Sequence, residues 1–231
     1  MISSLINYIA GYISKRNKSR FLKDLKKLNF NEIVFFDIGA HQGEYSDIII
    51  EEFTKKQLFL FEPLDKFYQF LKKKYKGKKY VSIFNKVVGE KNRKINFFIS
   101  THSRSSTKMK LNNKSKYYKI KKFVLKNLLK KKVNIQQIRL DNFINKVKKI
   151  DILKIDVEGN ELNVLLGCKK ILQKNKVKSI YIEILHHNLF KNYSSKKIHN
   201  FLIKNNFILY NSYNTRILFQ EDRLYVNKNF V

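Results

Sequence analysis

The chain has 231 residues, 43% of them hydrophobic, which fits one domain with a sizeable core and excludes global disorder. Its single cysteine, Cys168, excludes an internal disulfide, fits a reducing compartment, and leaves no Cys or His cluster with zinc-ligand spacing. The formal net charge of +31 points toward anionic partners such as nucleic acid, lipid or acidic polysaccharide, but the joint richness in Lys, Asn, Ile, Phe and Tyr is also what AT-rich coding sequence produces whatever the function.

Residues 1–14 are mildly apolar, and the basic run Lys15-Arg16-Asn17-Lys18-Ser19-Arg20 follows them. A signal peptide carries its charge before the apolar region, not after it. The stretch is also too short to span a bilayer. An amphipathic helix packed on the domain is expected, with a helix lying on an anionic membrane surface as the alternative. Residues 20–30 read as a second helix leading into the first strand.

That strand begins the stretch Ile33-Val34-Phe35-Phe36-Asp37-Ile38-Gly39-Ala40-His41-Gln42-Gly43. An apolar run stops at an acid, two glycines frame a turn, and a helical face of Tyr45, Ile48, Ile49 and Phe53 follows. Strand, glycine turn and helix together let backbone N–H groups and a helix N-terminus meet a polar ligand closely. The competing reading is an ordinary turn that needs positive φ. A second strand, residues 57–61, ends at Glu62, nineteen residues after Gly43. In nucleoside-binding α/β domains an acid at this place accepts hydrogen bonds from ribose hydroxyls. Pro63, the only proline, holds Glu62 extended.

A helix over residues 64–74 and a strand over 80–88 come next, and residues 94–100 read as a strand returning antiparallel. Ser103-Arg104-Ser105-Ser106-Thr107 is a polar loop that lines a pocket or is simply solvated. Between Thr107 and Asn134 stand eleven lysines and no acid, an insertion-like basic segment of about residues 108–132 with the pattern of an amphipathic helix. It is a candidate contact for an anionic partner, or a solvated lid. Residues 135–140 read as a strand, and Asp141 as the cap of a short helix beginning at Asn142.

In Ile150-Asp151-Ile152-Leu153-Lys154-Ile155-Asp156-Val157-Glu158-Gly159-Asn160-Glu161, a buried strand delivers Lys154, Asp156 and Glu158 toward its C-terminal end, where open α/β sheets carry their sites. A helix from Glu161 to Leu172 follows and buries Cys168 as an inert thiol. Residues 177–184 form a further strand ending near Glu183, with His186 and His187 beyond. A helix over 194–205 and closing strands around 207–213 and 216–226 complete the chain.

Asp37-Ile38-Gly39-Ala40-His41-Gln42-Gly43, then Phe61-Glu62-Pro63, Arg139-Leu140-Asp141 and Lys154-Ile155-Asp156-Val157-Glu158-Gly159-Asn160-Glu161 resemble the FkbM family of class I methyltransferases over about residues 33–186. His41 stands where a middle glycine is frequent, and the G-x-G-x-x-G spacing of nicotinamide dehydrogenases is missing. The resemblance implies an α/β fold, Rossmann-like, with a mostly parallel seven-stranded sheet and helices on both faces. It implies residues 31–231 as the methyltransferase domain after an N-terminal helical segment, 1–30.

The implied cofactor is S-adenosyl-L-methionine. Asp37, Gly39, Ala40, His41 and Gly43 would surround it, Glu62 would hold its ribose, and Asp156 would face the transferred methyl with Lys154 and Glu158. The implied reaction is O-methyl transfer to a hydroxyl, that of a sugar in a glycan or glycolipid precursor. Asp156 is the first candidate base, and His186 or His187 the next. A divalent metal is an optional addition to which carboxylates 156, 158 and 183 would supply part of a ligand set. The alternatives are a nucleic-acid-binding methyltransferase and a non-catalytic, membrane-docked binding module on the same fold. A cytoplasmic location is expected, with peripheral contact at the inner membrane surface as the variant, and no specific nucleic acid partner.

Overall fold

A computed structural model describes residues 2–99, 106–115, 118–119, 131–186, 188–215 and 220–230. The chain begins with one helix, α1 (Ile2–Lys27), in place of the two expected. It continues β1 (Ile33–Ile38), α2 (Glu44–Glu52), β2 (Lys56–Phe61), α3 (Asp65–Lys74) and β3 (Val81–Phe84). Then come β4 (Val87–Val88), β5 (Arg93–Ile99), β6 (Lys131–Ile138), β7 (Ile150–Ile155), α4 (Glu161–Gly167) and α5 (Lys169–Gln173). The last elements are β8 (Val177–Leu185), α6 (Ser195–Lys204), β9 (Phe207–Thr215) and β10 (Gln220–Asn227).

Seven strands form the main sheet in the order β3-β2-β1-β7-β8-β10-β9. All its pairings from β3 to β8 are parallel, and β10 runs antiparallel to both neighbours. Strand order reverses between β1 and β7, so the C-terminal ends of these two strands bound the crevice where such sheets place their ligands.

Every residue of β1 and of β7 is buried, as a parallel strand covered on both faces requires. One face packs Phe36, Phe59, Phe61 and Leu153 against α4, α5 and α6 through Val164, Leu165, Ile171, Ile198 and Leu202. The other packs Phe35, Ile152 and Tyr181 against Phe21 and Leu25 of α1, Ile49 of α2 and Leu71 of α3. The mostly parallel α/β sandwich expected from the sequence is therefore the observed fold. Among the described residues no helix is long and apolar enough to cross a membrane.

Three local expectations are corrected. The strand expected over 80–88 breaks after Phe84, because Asn85 turns inward and its side-chain amide donates to the carbonyls of Glu62 and Pro63. β4 then joins a second sheet, β4-β6-β5, and the strand after it pairs antiparallel with β6 instead of β3. The helix expected over 161–172 breaks at Cys168. At its neighbour Gly167 a side chain would lie 2.1 Å from the carbonyl oxygen of Gly89, so the backbones touch there. Asp141 caps the second piece, not its own turn: its Oδ1 accepts from the backbone N–H of Ile171. The amphipathic helix expected near residue 120 lies outside the described residues.

Candidate active site

A cleft of about 320 Å³ opens at the C-terminal ends of β1, β2, β7 and β8. Gly39, Ala40, His41, Glu62 and Leu64 line it together with Lys154, Asp156, Glu158, Glu183 and Asp222.

The turn after β1 is wound by positive φ at Gly39 (84°), His41 (47°) and Gly43 (76°). Gly39 needs the missing side chain for space as well, since a Cβ there would lie 2.0 Å from the carbonyl oxygen of Asp156. The turn does not offer its N–H groups to a ligand as the sequence suggests. Those of Gly39 and Ala40 donate to the carbonyl of Phe61, that of Gly43 to the carbonyl of Ala40, and that of His41 to Glu62 Oε2 at 2.8 Å. Four of the turn's N–H groups are thus spent within the protein. The His41 ring instead lies over Phe67, with centroids 4.0 Å apart.

Glu62 is pinned from two sides: Oε2 by the His41 N–H and Oε1 by the Leu64 N–H, each at 2.8 Å. Each oxygen keeps a second lone pair for a ligand hydroxyl. Burial pushes this carboxyl up to about 7, and the two N–H bonds oppose the rise.

Asp37 does not line the cleft. It is buried one level beneath, where Oδ1 accepts from Lys154 Nζ at 2.9 Å and Oδ2 from Ser46 Oγ of α2 at 2.8 Å. Gly43 likewise stands behind the lining, its carbonyl accepting from the Tyr75 hydroxyl at 3.0 Å. Lys154 reaches the cleft, 3.7 Å from Asp156 Oδ2, and also donates to the Gly39 carbonyl. Burial works against its charge, but Asp37 and then Asp156 outweigh that and raise its pKa, so it stays an ammonium.

Register places three carboxylates side by side. Lys154 pairs with Tyr181, Ile155 with Ile182, and Glu183 with Asp222, so Asp156 just past the end of β7, Glu183 near the end of β8 and Asp222 near the start of β10 fall in one row on one face of the sheet. Burial, then Asp156, raises Asp222 to about 7. Glu183 is raised by burial, then by Asp156 and Glu158. Glu158 holds positive φ (51°), and its carbonyl accepts from Thr107 Oγ1 at 2.8 Å. Ser106 lines the cleft, so the end of the polar hydroxyl loop belongs to the site, while residues 103–105 lie outside the described residues.

His186 is not among the lining residues. Its Nε2 meets Glu221 Oε1 at 3.1 Å; His187 lies outside the described residues. Sequence reasoning missed Asn17, Tyr45 and Asp222. Tyr45 reads as an apolar helix-face residue, yet it lines the cleft and its hydroxyl bonds that of Tyr181 at 3.1 Å. Asn17 and Asp222 carry no local signal, because each reaches the site only through the packing of α1 and β10. Among the described residues no group of three or more His, Cys, Asp or Glu is placed to hold a metal ion.

The donor set fits a nucleoside that carries a cation. Glu62 is a pinned carboxyl with lone pairs free for hydroxyls, further carboxyls line the same cleft, and the buried ammonium of Lys154 is already balanced by Asp37.

The profile of the family described as the methyltransferase FkbM domain matches residues 37–209. Among solved structures, a methyltransferase FkbM from Methylobacillus flagellatus superposes with a TM-score of 0.57 at 16% identity, covering 86% of this chain and 44% of that one. The chain thus spans less than half the length of that neighbour. A precorrin-6y C5,15-methyltransferase from Geobacter metallireducens gives 0.49 at 10% identity, with 90% of this chain and 86% of that one covered. An rRNA methylase from Streptococcus thermophilus gives 0.47 at 8% identity, with 90% and 94% covered. No curated protein matches the chain.

Proposed function

The chain belongs to the FkbM methyltransferase family, and from that premise we propose that it is an S-adenosylmethionine-dependent O-methyltransferase acting on a hydroxyl, that of a sugar in a glycan or glycolipid precursor. The observation that carries the reading is Glu62, buried in the cleft and held by two backbone N–H groups with lone pairs left over. S-adenosylmethionine, when bound, supplies an electrophilic methyl group on a sulfonium.

The residues of this chain do the rest. Glu62 accepts from the ribose hydroxyls. Gly39, Ala40 and His41 wall the methionine portion, and Asp156 and Glu158 complement the positive sulfur. The carboxyls of the cleft would hold the acceptor hydroxyl against the methyl group, and such positioning lowers a barrier by roughly 7–11 kcal/mol. A neutral hydroxyl is a poor nucleophile, so a carboxylate beside it takes its proton as the C–O bond forms, an effect of about 10²–10⁴-fold. Lys154 has no proton-accepting role, because Asp37 keeps it charged.

Calorimetric titration with S-adenosylmethionine and S-adenosylhomocysteine tests the reading. Wild type binds both, and Glu62→Ala loses roughly 100-fold in affinity, the equivalent of one or two charge-assisted hydrogen bonds. Unchanged affinity in the variant removes the ribose assignment, and no binding by folded wild type removes the enzyme.

A further inference from the structure

One buried group at this site has an unused acceptor. Glu183 lines the cleft, is 7% exposed, and its Oε2 is buried with no hydrogen-bond partner. A carboxylate oxygen in that state is costly unless a ligand completes it. The other candidates are committed. Asp156 has a side chain 44% exposed and lies beside the Lys154 ammonium. Asp222 receives Asn17 Nδ2 at 3.3 Å, and the Tyr181 hydroxyl bonds to it. His186 sits outside the lining on Glu221.

Building on the methyltransferase reading, we propose that Asp156, Glu183 and Asp222, with Asn17 of α1, form the acceptor subsite, that Glu183 takes the proton of the acceptor hydroxyl, and that this row releases a proton when the cationic methyl donor binds but not when the neutral product binds. The ligand class follows from the lining. A row of carboxylates recognises adjacent hydrogen-bond donors, such as vicinal hydroxyls, and gives nothing to an anionic acceptor.

The charge balance gives the proton release. The charges that act most strongly on Glu183 are those of Asp156 and Glu158 beyond β7, Asp222 of β10 and Glu161 of α4, all of one sign; Lys86 and Lys108 also line the cleft, and Glu90 balances Lys108. Lys154 is the near cation, and Asp37 balances it. Tyr45 of α2 and Tyr181 of β8 are raised by burial and stay neutral phenols. Glu183 and Asp222, paired in register and both raised by burial and by the neighbouring Asp156 charge, therefore hold a proton at neutral pH more readily than free carboxyls do. An arriving sulfonium favours their charged forms and drives a proton out to solvent.

In the transfer step the acceptor O–H proton passes to Glu183, and the oxygen bonds the methyl carbon. The C–S bond breaks with its electron pair going to sulfur. A sulfonium and a carboxylate become a thioether and a carboxylic acid, and no charge is left buried without a partner.

The test counts protons and needs no acceptor. The full chain is titrated at pH 7 with S-adenosylmethionine and with S-adenosylhomocysteine, each in phosphate and in Tris, whose ionisation enthalpies differ. Wild type is expected to release roughly half to one proton more with S-adenosylmethionine than with its product. Glu183→Gln is expected to abolish that difference and to weaken S-adenosylmethionine about three- to ten-fold, while S-adenosylhomocysteine stays within a few-fold. Equal proton counts in wild type overturn the proposal, as does an undiminished difference in Glu183→Gln. Should that variant fail to fold, Asp222→Asn is expected to shrink the difference, and an unchanged value overturns the proposal. Absence of binding by either ligand to folded wild type defeats the methyltransferase reading itself, a result distinct from binding with equal counts.

Discussion

The Lys154 ammonium lies in the middle of the sheet with its side chain 3% exposed, and Asp37, at 1%, is its counter-ion. A buried pair of this kind adds little over an apolar pair, but breaking it is expensive because one charge is left alone. Asp37→Asn is therefore expected to cost roughly 3–5 kcal/mol in urea unfolding. A loss below about 1 kcal/mol would mean that Asp156 takes over as counter-ion. The acid at the end of β1 reads from sequence as a cofactor contact, because a strand ending in Asp before a glycine turn puts the residue in the right neighbourhood. The sequence does not say on which face of the strand the side chain falls, or that Lys154, far along the chain, lies next to it in register.

Helix α1 is a wall of the site as well as part of the core. Phe21 is fully buried, with its ring centroid 4.2 Å from that of Tyr181 and 5.7 Å from that of Tyr45, and Asn17, one turn earlier, reaches the cleft. Phe21→Ala is expected to cost about 3–5 kcal/mol in thermal or urea unfolding, and to weaken cofactor binding through Tyr45. Retained stability would show that α1 is an appendage. Element type and order were legible nearly throughout, because buried parallel strands read as apolar runs and helices as spaced apolar faces. Apart from the N-terminal helix, one where two are expected, the misjudged places were the breaks at Asn85 and Cys168 and the cap at Asp141. Each is decided by a contact between distant segments, the carbonyls of Glu62 and Pro63, Gly89 and Ile171 respectively, and not by local propensity.

On the scale of the whole molecule, a strongly basic chain buries several of its acids, Glu62, Glu161 and Glu183 among them. Glu62 and Asp222 are raised to about 7 and Glu161 to about 8, in each case chiefly by burial. A carboxyl raised on folding contributes its full stability below its unfolded pKa, about 4.5 for Glu, and loses it as pH rises through the folded value. These groups therefore make the fold less resistant to urea between pH 5 and 8. Glu161, whose Oε2 has no partner, is the cleanest probe: Glu161→Gln is expected to flatten that decline, and an equally steep decline would place the dependence elsewhere. The sequence by itself determined the α/β class, the strand–glycine turn–helix unit, the acid at the end of β2 and the acidic end of β7, because each is written in residues that are neighbours along the chain. Only the tertiary structure decided that Asp37 supports from below, that His186 stands aside, and that Asp156, Glu183 and Asp222 share one row with Asn17 beside them. That row exists because β10 runs antiparallel between β8 and β9 and α1 folds back over it, and strand order and register across a sheet are set by packing that no spacing along the chain encodes.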